Sequence, residues 1–180
     1  EGVDLSPDGR IVYVTAEADN GVYVIDTDRL EVVSILGVGA RPRSTGFTTH
    51  APRAYVSAEN DASVSVIDTS THTVVERIGF NDPRMRPMGV VAAPDGAHVY
   101  VTTGRGGTLA MIDTNANQVV GAVEVGERPW GVAISPDGQT LFTANGPSND
   151  ISIVDAVNLS LRAKVPVGER PWGVAVIPGS

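Results

Sequence analysis

Short runs that alternate apolar with small or polar side chains fill this chain, and none of them has the spacing of an amphipathic helix. Val123 and Val125 flank Glu124, for example, and Ile151 and Ile153 flank Ser152. A period of two residues sends successive side chains to opposite faces of an extended strand. The pattern therefore predicts an all-β protein built from many short strands.

Three sequence markers show that these strands belong to a tandem repeat. Arg-Pro dipeptides occur 45, 42 and 42 residues apart, beginning at Arg41, Arg86, Arg128 and Arg170. Aspartates recur at the same three intervals, as Asp26, Asp68, Asp113 and Asp155. Each aspartate follows an aromatic residue by 13 positions, the aromatics being Tyr13, Tyr55, Tyr100 and Phe142. A period of about 40 to 45 residues rich in short strands is typical of the four-stranded blades of a β-propeller.

Each repeat is predicted to contain four strands, A to D. In the third and fourth repeats these are residues 88–92 and 130–134 (A), 97–102 and 140–144 (B), 108–112 and 151–154 (C), and 119–125 and 161–167 (D). Pro-Asp-Gly at Pro7, Pro94 and Pro136 has the chemistry of a tight A-to-B turn, with Gly at the positive-φ position. Thr49-His50-Ala51 replaces it in the second repeat and predicts a looser turn. The recurring aspartates begin the C-to-D turns, where a carboxylate can accept hydrogen bonds from turn amides.

The repeats give the domain organisation. They cover approximately residues 1–40, 41–85, 86–127 and 128–169, and residues 170–180 carry a trailing inner strand, with 172–176 as a fifth A strand. We therefore expect a single propeller domain of four four-stranded blades plus one extra inner strand, forming the C-terminal part of a seven-bladed propeller. The outer faces of the first and last blades would expose apolar surface. The chain is then expected to pair with a copy of itself, to pair with an N-terminal piece, or to close alone as a four-bladed ring.

Composition excludes several classes of partner and chemistry. The net charge of −8 and the single lysine, Lys164, disfavour binding to a nucleic acid backbone. No apolar run has the length of a membrane helix. The absence of cysteine excludes disulfides, thiolate catalysis and cysteine-ligated metals. We expect no metal and no cofactor.

The assembled motifs resemble those of a known family. Ser-Pro-Asp-Gly, Tyr-Val-Thr at residues 13–15 and 100–102, Val-Ile-Asp-Thr, and Val-Gly-Glu-Arg-Pro-Trp-Gly-Val together resemble the YVTN family of bacterial and archaeal β-propeller repeats over the whole chain. The doubled Gly-Glu-Arg-Pro-Trp-Gly looks like the branch of propellers associated with pyrroloquinoline-quinone (PQQ)-dependent catabolism. The resemblance implies export to the periplasm and a role beside quinoprotein alcohol oxidation. It implies no catalytic residue.

The Arg-Pro dipeptides supply the principal candidate site. They fall in the D-to-A loops, so the period predicts Arg41, Arg86, Arg128 and Arg170 around the mouth of the central channel. A ring of guanidinium groups could bind a carboxylate through paired hydrogen bonds. The alternative is that each arginine pairs with a neighbour such as Glu127 or Glu169 and locks adjacent blades together.

Three further residues complete the predicted ligand site. Trp130 and Trp172 follow the same dipeptides and could stack on a planar ligand, or else fill space between blades. Asn145 is the one position where the last letter of the YVTN motif survives, since Ala16, Ala58 and Thr103 replace it elsewhere. The B-to-C loops contain clustered Asp, Asn and Glu without the ligand spacing of a calcium loop, and they are expected to be solvated.

The histidines do not support catalysis or heme ligation. His50, His72 and His98 are all predicted on the hairpin face, away from the channel mouth. We therefore expect a non-catalytic, exported propeller that binds a protein partner or a small anion, in support of PQQ-dependent alcohol catabolism. Two alternatives stay open. One is a lactonase-like propeller enzyme with its catalytic residues in further blades, and the other is a structural cell-surface repeat module.

Overall fold

Four antiparallel sheets of four strands each make up the chain in a computed structural model that describes residues 1–177. In every sheet the strands follow one another in sequence order, from the inner strand A to the outer strand D. This is the arrangement of propeller blades, so the predicted all-β propeller fold is confirmed. The seven-blade total stays a prediction.

The strands of each blade connect through short hairpins. Blade one contains β1 (Val3–Leu5), β2 (Ile11–Ala16), β3 (Gly21–Asp26) and β4 (Glu31–Gly37). Blade two contains β5 (Pro42–Phe47), β6 (Arg53–Ala58), β7 (Ser63–Asp68) and β8 (Thr73–Gly79). Blade three contains β9 (Val90–Ala92), β10 (His98–Thr102), β11 (Thr108–Asp113) and β12 (Gln118–Glu124), with one 3-10 turn over Gly104–Gly106. Blade four contains β13 (Pro129–Ile134), β14 (Thr140–Asn145), β15 (Asp150–Asp155) and β16 (Ser160–Pro166).

Apolar cores lie at the three seams between consecutive blades. At the first seam, one side is Tyr13, Val22, Val24, Leu36 and Val38, and the other is Ala54, Val56 and Ile67. Corresponding residues form the cores between blades two and three and between blades three and four. Each fully buried Val, Leu or Ile contributes about 1.5–3 kcal/mol. Within residues 1–177 no core joins blade four to blade one, so the blades form an open arc. Closure alone as a four-bladed ring is therefore not the arrangement that this structure adopts.

A hydroxyl group in the B strand of each of the first three blades ties neighbouring inner strands together. Gly2 N donates to Thr15 Oγ1 at 2.7 Å, and Thr15 Oγ1 donates to Arg43 O of the next blade at 3.1 Å. Gly89 N and Thr102 repeat this bond at 2.8 Å, and Thr102 Oγ1 donates to the carbonyl of the next inner strand at 2.9 Å. Ser57 does the same between blades two and three. The last residue of Tyr-Val-Thr is thus a bridge between blades.

The tyrosine of the same motif forms a second link across each seam. Tyr13 Oη hydrogen bonds with His72 Nδ1 at 3.0 Å, and Tyr55 Oη donates to Asn117 Oδ1 at 3.0 Å. Tyr100 Oη donates to a backbone carbonyl of blade four at 3.1 Å. In each case the partner lies in the C-to-D turn of the following blade. Burial raises the pKa of Tyr13 above its usual value, so its hydroxyl stays protonated.

The predicted turn chemistry is present. Gly9, Gly96 and Gly138 of the Pro-Asp-Gly turns have φ values of 75°, 71° and 71°. The second repeat has only bends at residues 49–52, in agreement with the looser turn predicted there. At the C-to-D turns, all four recurring aspartates accept hydrogen bonds from the amides two and three residues later.

Two inner segments differ from their predicted limits. In blade three the A strand covers Val90–Ala92 rather than residues 88–92, because the Gly89 amide bonds to a side chain and not to the backbone ladder. Residues 171–177 form no strand, which corrects the expected fifth A strand over 172–176, since no strand B lies beside them. They still occupy an inner-strand position, next to Gly131 of blade four. Residues 178–180 of the predicted trailing strand lie outside the described residues.

No helix within residues 1–177 has the length and apolar character needed to cross a membrane.

Replacing Gly89 with alanine is expected to destabilise the protein, because its Cβ would lie only 2.4 Å from Trp130 O. Overpacking against backbone atoms costs about 1–3 kcal/mol. Gly79→Ala is the matched control, since a Cβ there has nothing within 4 Å. Urea denaturation measures both free energies of unfolding. Equal free energies of unfolding for Gly89→Ala and Gly79→Ala would show that neighbouring inner strands can move apart without loss of stability.

Acid is expected to weaken the C-to-D turns. Backbone hydrogen bonds, above all from Asn158, together with Arg162, lower the pKa of Asp155 from 3.8 to about 2. The ionised carboxylate therefore stabilises the fold above pH 3.8, and this contribution is lost as the pH falls towards 2. Asp155→Asn should lower Tm near neutral pH and match the unmodified chain at the acid end of a circular dichroism series. Asp28→Asn, in an exposed turn position, is the control and should leave Tm unchanged throughout.

Candidate functional site

The inner strands enclose a groove of about 180 Å³ at the centre of the arc. Each of the four blades, and also the segment after blade four, contributes two consecutive residues, a variable side chain and then a small one. The lining residues are Glu1, Gly2, Arg43, Ser44, Met88, Gly89, Trp130, Gly131, Trp172 and Gly173. From the second blade on, the variable residue comes two positions after the arginine of each Arg-Pro dipeptide. This position, and not the arginine itself, projects into the groove.

One wall of the groove is ionic. Arg43 is only 8% exposed, and its guanidinium contacts three carboxylates. Its Nε donates to Glu59 Oε2 at 2.7 Å, and its Nη2 donates to the same oxygen. Its Nη1 lies 2.9 Å from Glu1 Oε1 and 3.2 Å from Glu17 Oε2. Because Glu59 is itself buried, this cluster joins blades one and two through desolvated charges.

Arg41, which directly precedes β5, completes the ionic cluster. Its Nε lies 2.7 Å from Glu17 Oε1 and 3.5 Å from Glu59 Oε2. Two arginines therefore face three glutamates, and the excess charge of the cluster is negative. An anion has no favourable site at this wall.

The opposite wall is aromatic. The ring centroids of Trp130 and Trp172 are 4.3 Å apart with an interplanar angle of 35°. The guanidinium carbon of Arg128 lies 5.6 Å from the Trp130 ring centroid, within cation–π range. Trp130 also lies against Gly146, where a Cβ would come within 2.2 Å of the ring. Trp172 is 59% exposed, so its outer face is accessible to a ligand.

The other two predicted arginines lie over seams or at the surface. Arg86 Nη1 donates to Asn60 Oδ1 at 3.0 Å, which links blade three to the B-to-C loop of blade two. Arg170 is exposed, and its amide donates to Asn149 Oδ1 at 2.9 Å. Arg41 makes the same backbone contact with Asn20 Oδ1 at 3.0 Å.

The predicted ring of guanidinium groups at the channel mouth therefore needs correction. None of the four Arg-Pro arginines lines the groove in the described part of the chain. Arg41, Arg128 and Arg170 have φ values of 61°, 47° and 48°, a left-handed conformation that turns the chain before each inner strand. Arg41 pairs with Glu17 and Glu59, whereas the alternative prediction named Glu127 and Glu169 as partners.

Asn145 lies inside blade four, away from solvent. Its Nδ2 donates to Asp150 Oδ1 at 2.6 Å and to Ser152 Oγ at 2.9 Å, and its Oδ1 accepts from Thr143 Oγ1 at 2.9 Å. All of its polar atoms are satisfied within one blade. The structure therefore shows a packing role for this predicted ligand residue.

The buried carboxylate of Glu59 was missed in the sequence, where the B-to-C loops were expected to be solvated. A signal was present, because Glu17 and Glu59 occupy equivalent positions one repeat apart, and Arg43 replaces the Met or Trp of other blades. Asp4, the one acid of the A strands, is half-buried, and desolvation raises its pKa.

The histidines lie where the sequence predicts, away from the groove. His72 bonds to Tyr13, and His50 packs beside Gly96 of the A-to-B turn in blade three. Among residues 1–177 no group of three or more His, Asp or Glu side chains is arranged to hold a metal ion.

Comparison with known proteins relates the chain to other propellers. Residues 53–173, about two thirds of the chain, match the sequence model of the cytochrome D1 heme domain. A solved structure of Kuenenia stuttgartiensis hydrazine synthase superimposes with a TM-score of 0.82 at 25% identity. The alignment covers 91% of this chain and 47% of the other, so the chain spans about half the length of that protein. A search of curated proteins gives no significant match.

The name of the matching family raises the question of a heme group. Heme iron takes an axial His, Cys, Met or Tyr. Met88 is the one such side chain lining the groove within residues 1–177, and it is buried. The groove is also smaller than the roughly 300–1,000 Å³ of typical cofactor sites. The residues that the structure describes therefore do not fit a heme.

Removing one charge from the ionic cluster is expected to be costly. Glu59→Gln should lower the free energy of unfolding by about 3 kcal/mol, because it removes the buried carboxylate that accepts two hydrogen bonds from Arg43. Glu31→Gln, which removes an exposed partner of Arg29 at 3.7 Å, is the control and should cost under about 0.5 kcal/mol. Urea denaturation of both variants tests this. Similar small losses would mean that the cluster is solvated in solution.

Proposed function

The chain belongs to the cytochrome D1 heme domain family, and from this premise we propose that it is a non-catalytic binding propeller. Its ligand is a small planar anion held at the aromatic wall of the groove. The observation that carries the proposal is the stacked pair of Trp130 and Trp172, with Trp172 exposed and Arg128 over the Trp130 ring.

The aromatic pair favours a planar ligand. The Trp130 ring is fixed by Gly146 on the B-to-C loop, so it provides a rigid support for Trp172. The exposed ring of Trp172 can bury its outer face only against another group. Offset stacking of aromatic rings contributes about 0.5–1.5 kcal/mol beyond the area buried. A ligand of one or two fused rings suits a groove of about 180 Å³.

The charge distribution favours an anion at this wall. Arg128 and Arg170 have no acidic partner within residues 1–177, whereas Arg41 and Arg43 are neutralised by glutamates. Both are exposed and precede the two tryptophans by two residues. A carboxylate on a stacked ring can therefore accept charge-assisted hydrogen bonds from either guanidinium. Of the four predicted arginines, we therefore assign anion binding only to Arg128 of blade four and Arg170 of the segment that follows it.

The polar side chains of the groove are already engaged in contacts within the protein, which favours a binding role over an enzymatic one. Glu1, the acid in the groove lining, is engaged by Arg43 at 2.9 Å, and the Ser44 hydroxyl accepts from Val90 N at 3.3 Å. General acid–base or nucleophilic catalysis needs a free acid, base or activated nucleophile at the ligand. No observation in residues 1–177 favours the lactonase-like alternative.

The proposed setting rests on the motif resemblance alone. We place the protein in the periplasm, where it binds the anion or a protein partner in support of PQQ-dependent alcohol catabolism. Cell fractionation tests the setting, and recovery from the cytoplasm would contradict it without affecting the binding proposal.

Loss of the two unpaired arginines is expected to weaken ligand binding selectively. Naphthalene-2,6-dicarboxylate serves as the probe, measured by isothermal titration calorimetry. The double variant Arg128→Ala with Arg170→Ala should weaken its binding at least about tenfold, a change worth 1.4 kcal/mol. Its Tm should stay nearly unchanged, because neither side chain forms an ion pair within the described residues.

The matched control removes the same charge elsewhere. Arg29→Ala with Arg84→Ala deletes two exposed arginines that pair with local acids, and it should bind the probe as the unmodified chain does. If both double variants weakened probe binding equally, the loss would be explained by net charge alone and not by a site at Arg128 and Arg170. A large fall in Tm on removal of Arg128 and Arg170 would show that they are architectural, and no binding by the unmodified chain would refute the proposal.

A further inference from the structure

The face of the arc that carries the A-to-B and C-to-D turns has a cleft at each of the three seams between blades. Each cleft lies between the A-to-B turn of one blade and the two turns of the next blade. Their volumes are about 350, 410 and 450 Å³ in chain order. The third, which we call the seam-three cleft, is lined entirely by residues of blades three and four. Its volume lies within the roughly 300–1,000 Å³ of typical small-molecule sites.

The floor of the seam-three cleft is apolar. Ala93, Tyr100 and Ala156 line the cleft and belong to the buried core between blades three and four. Tyr100 Oη donates to Ala156 O at 3.1 Å, so the hydroxyl of the tyrosine already has a partner. Pro94 and Val157 extend the apolar lining to the rim, where Val157 is 67% exposed. An apolar group of a ligand that lies on this surface is removed from water.

Two carboxylates stand at the rim of the seam-three cleft, one from each Pro-Asp-Gly turn. Asp95 Oδ1 accepts from Ala97 N at 2.9 Å, and Asp137 Oδ1 accepts from Gln139 N at 3.0 Å. Within residues 1–177 the second oxygen of each carboxylate accepts no hydrogen bond, and neither aspartate forms an ion pair. Each aspartate therefore keeps one oxygen free to accept a hydrogen bond from a ligand.

Negative charge also acts on the floor of the cleft. Burial raises the pKa of Tyr100, and the charges of Asp95 and Asp155 raise it further. Arg162 lies close enough to offset part of this charge, but its Nε already donates to Asp155 Oδ2 at 3.2 Å. No Lys or Arg side chain of the described residues lines the cleft, and His98 is its basic residue. A cation therefore has a more favourable environment there than an anion.

The clefts at the other two seams lack this combination of groups. The cleft between blades two and three contains Asp95 but also Arg53, which occupies the repeat position of His98. The cleft between blades one and two contains a single carboxylate among the described residues, that of Asp8. Blade two has Thr49-His50-Ala51 in place of Pro-Asp-Gly, so of the four blades only the third and fourth bring two such turns together.

We propose that the seam-three cleft binds a small organic amine. The ammonium group pairs with Asp95 and Asp137, and the apolar stem of the amine lies on Ala93, Ala156 and Val157. Exposed ion pairs are individually weak, so burial of the stem contributes to the affinity as well. The site is separate from the groove at the inner strands and takes a ligand of opposite charge, so the proposal does not depend on the function proposed for the groove.

Titration with 4-phenylbutylamine, followed in ¹H–¹⁵N NMR spectra near neutral pH, tests the site. The shifts should concentrate on the backbone amides of Asp95, Gly138 and Gln139, which line the cleft. The alcohol 4-phenylbutan-1-ol has the same stem without the charge, and it should bind about tenfold more weakly. No shifts at these amides, or equal affinities for the amine and the alcohol, would overturn the proposal.

Removal of the two carboxylates should weaken binding of the amine. Asp95→Asn with Asp137→Asn deletes both charges but keeps a side-chain oxygen that can accept from the turn amides, and it should lower the affinity about tenfold. Asp8→Asn with Asp28→Asn removes the same charge from turns of blade one and should bind as the unmodified chain does. An equal loss in both double variants would assign the effect to net charge and overturn the proposal.

A substitution taken from the chain itself tests the comparison between seams. His98→Arg places in the seam-three cleft the arginine that blade two has at this position, and it should also weaken binding of the amine, because the new cation pairs with the carboxylates. Arg53→His is the matched control and should leave the affinity unchanged. If Asp95→Asn with Asp137→Asn unfolds the protein, His98→Arg decides, and unchanged binding by a folded His98→Arg chain would exclude the site.

The groove variant separates the two proposed sites. Arg128→Ala with Arg170→Ala should leave binding of 4-phenylbutylamine unchanged, since neither arginine lines the seam-three cleft. A loss of amine binding in this variant would place the amine at the groove and would contradict the assignment to Asp95 and Asp137.

Discussion

One hydroxyl group per seam sets the distance between successive inner strands. Thr15, Ser57 and Thr102 each accept from the inner strand of their own blade and donate to a carbonyl of the next. The carbonyl approaches so closely that a Cβ at Gly2 or Gly89 would lie within 2.5 Å of it. A small residue is therefore required beside the hydroxyl, and the residue before it must project into the groove. The architecture itself creates one variable side chain per blade at the centre of the arc.

The side chain at the variable position of each blade determines the charge and polarity of the groove lining. Arg43 brings a buried cation that needs three glutamates, which closes the first seam with charge. Met88 adds a flexible apolar side chain, and Trp130 and Trp172 add a stacked aromatic surface. Glu1, Glu17 and Glu59 pair with Arg41 and Arg43, whereas Arg128, which lies over the Trp130 ring, has no acidic partner within residues 1–177. The aromatic wall is therefore the part of the groove at which this acidic protein can bind an anion.

The sequence predicts the repeat, the blades and the turns, because these depend on local spacing and on backbone chemistry. The orientation of the arginines depends on more than spacing. Arg41 and Arg128 have a left-handed backbone and Arg86 does not, yet after all three the side chain that lines the groove comes two residues later. Glu59 is buried only because Arg43, 16 residues earlier, lies across the blade from it, and no local pattern encodes that contact. Trp130 and Trp172 line the groove because they occupy the variable position.

The serial arrangement of the three cores has a dynamic consequence. Each core couples only two adjacent blades, so the stability of the chain behaves as a one-dimensional sum of blade and seam contributions. Within residues 1–177, blades two and three pack against a neighbour on both sides. Backbone amides of β6, β7, β10 and β11, the central strands of these two blades, are therefore expected to exchange slowly with solvent hydrogen.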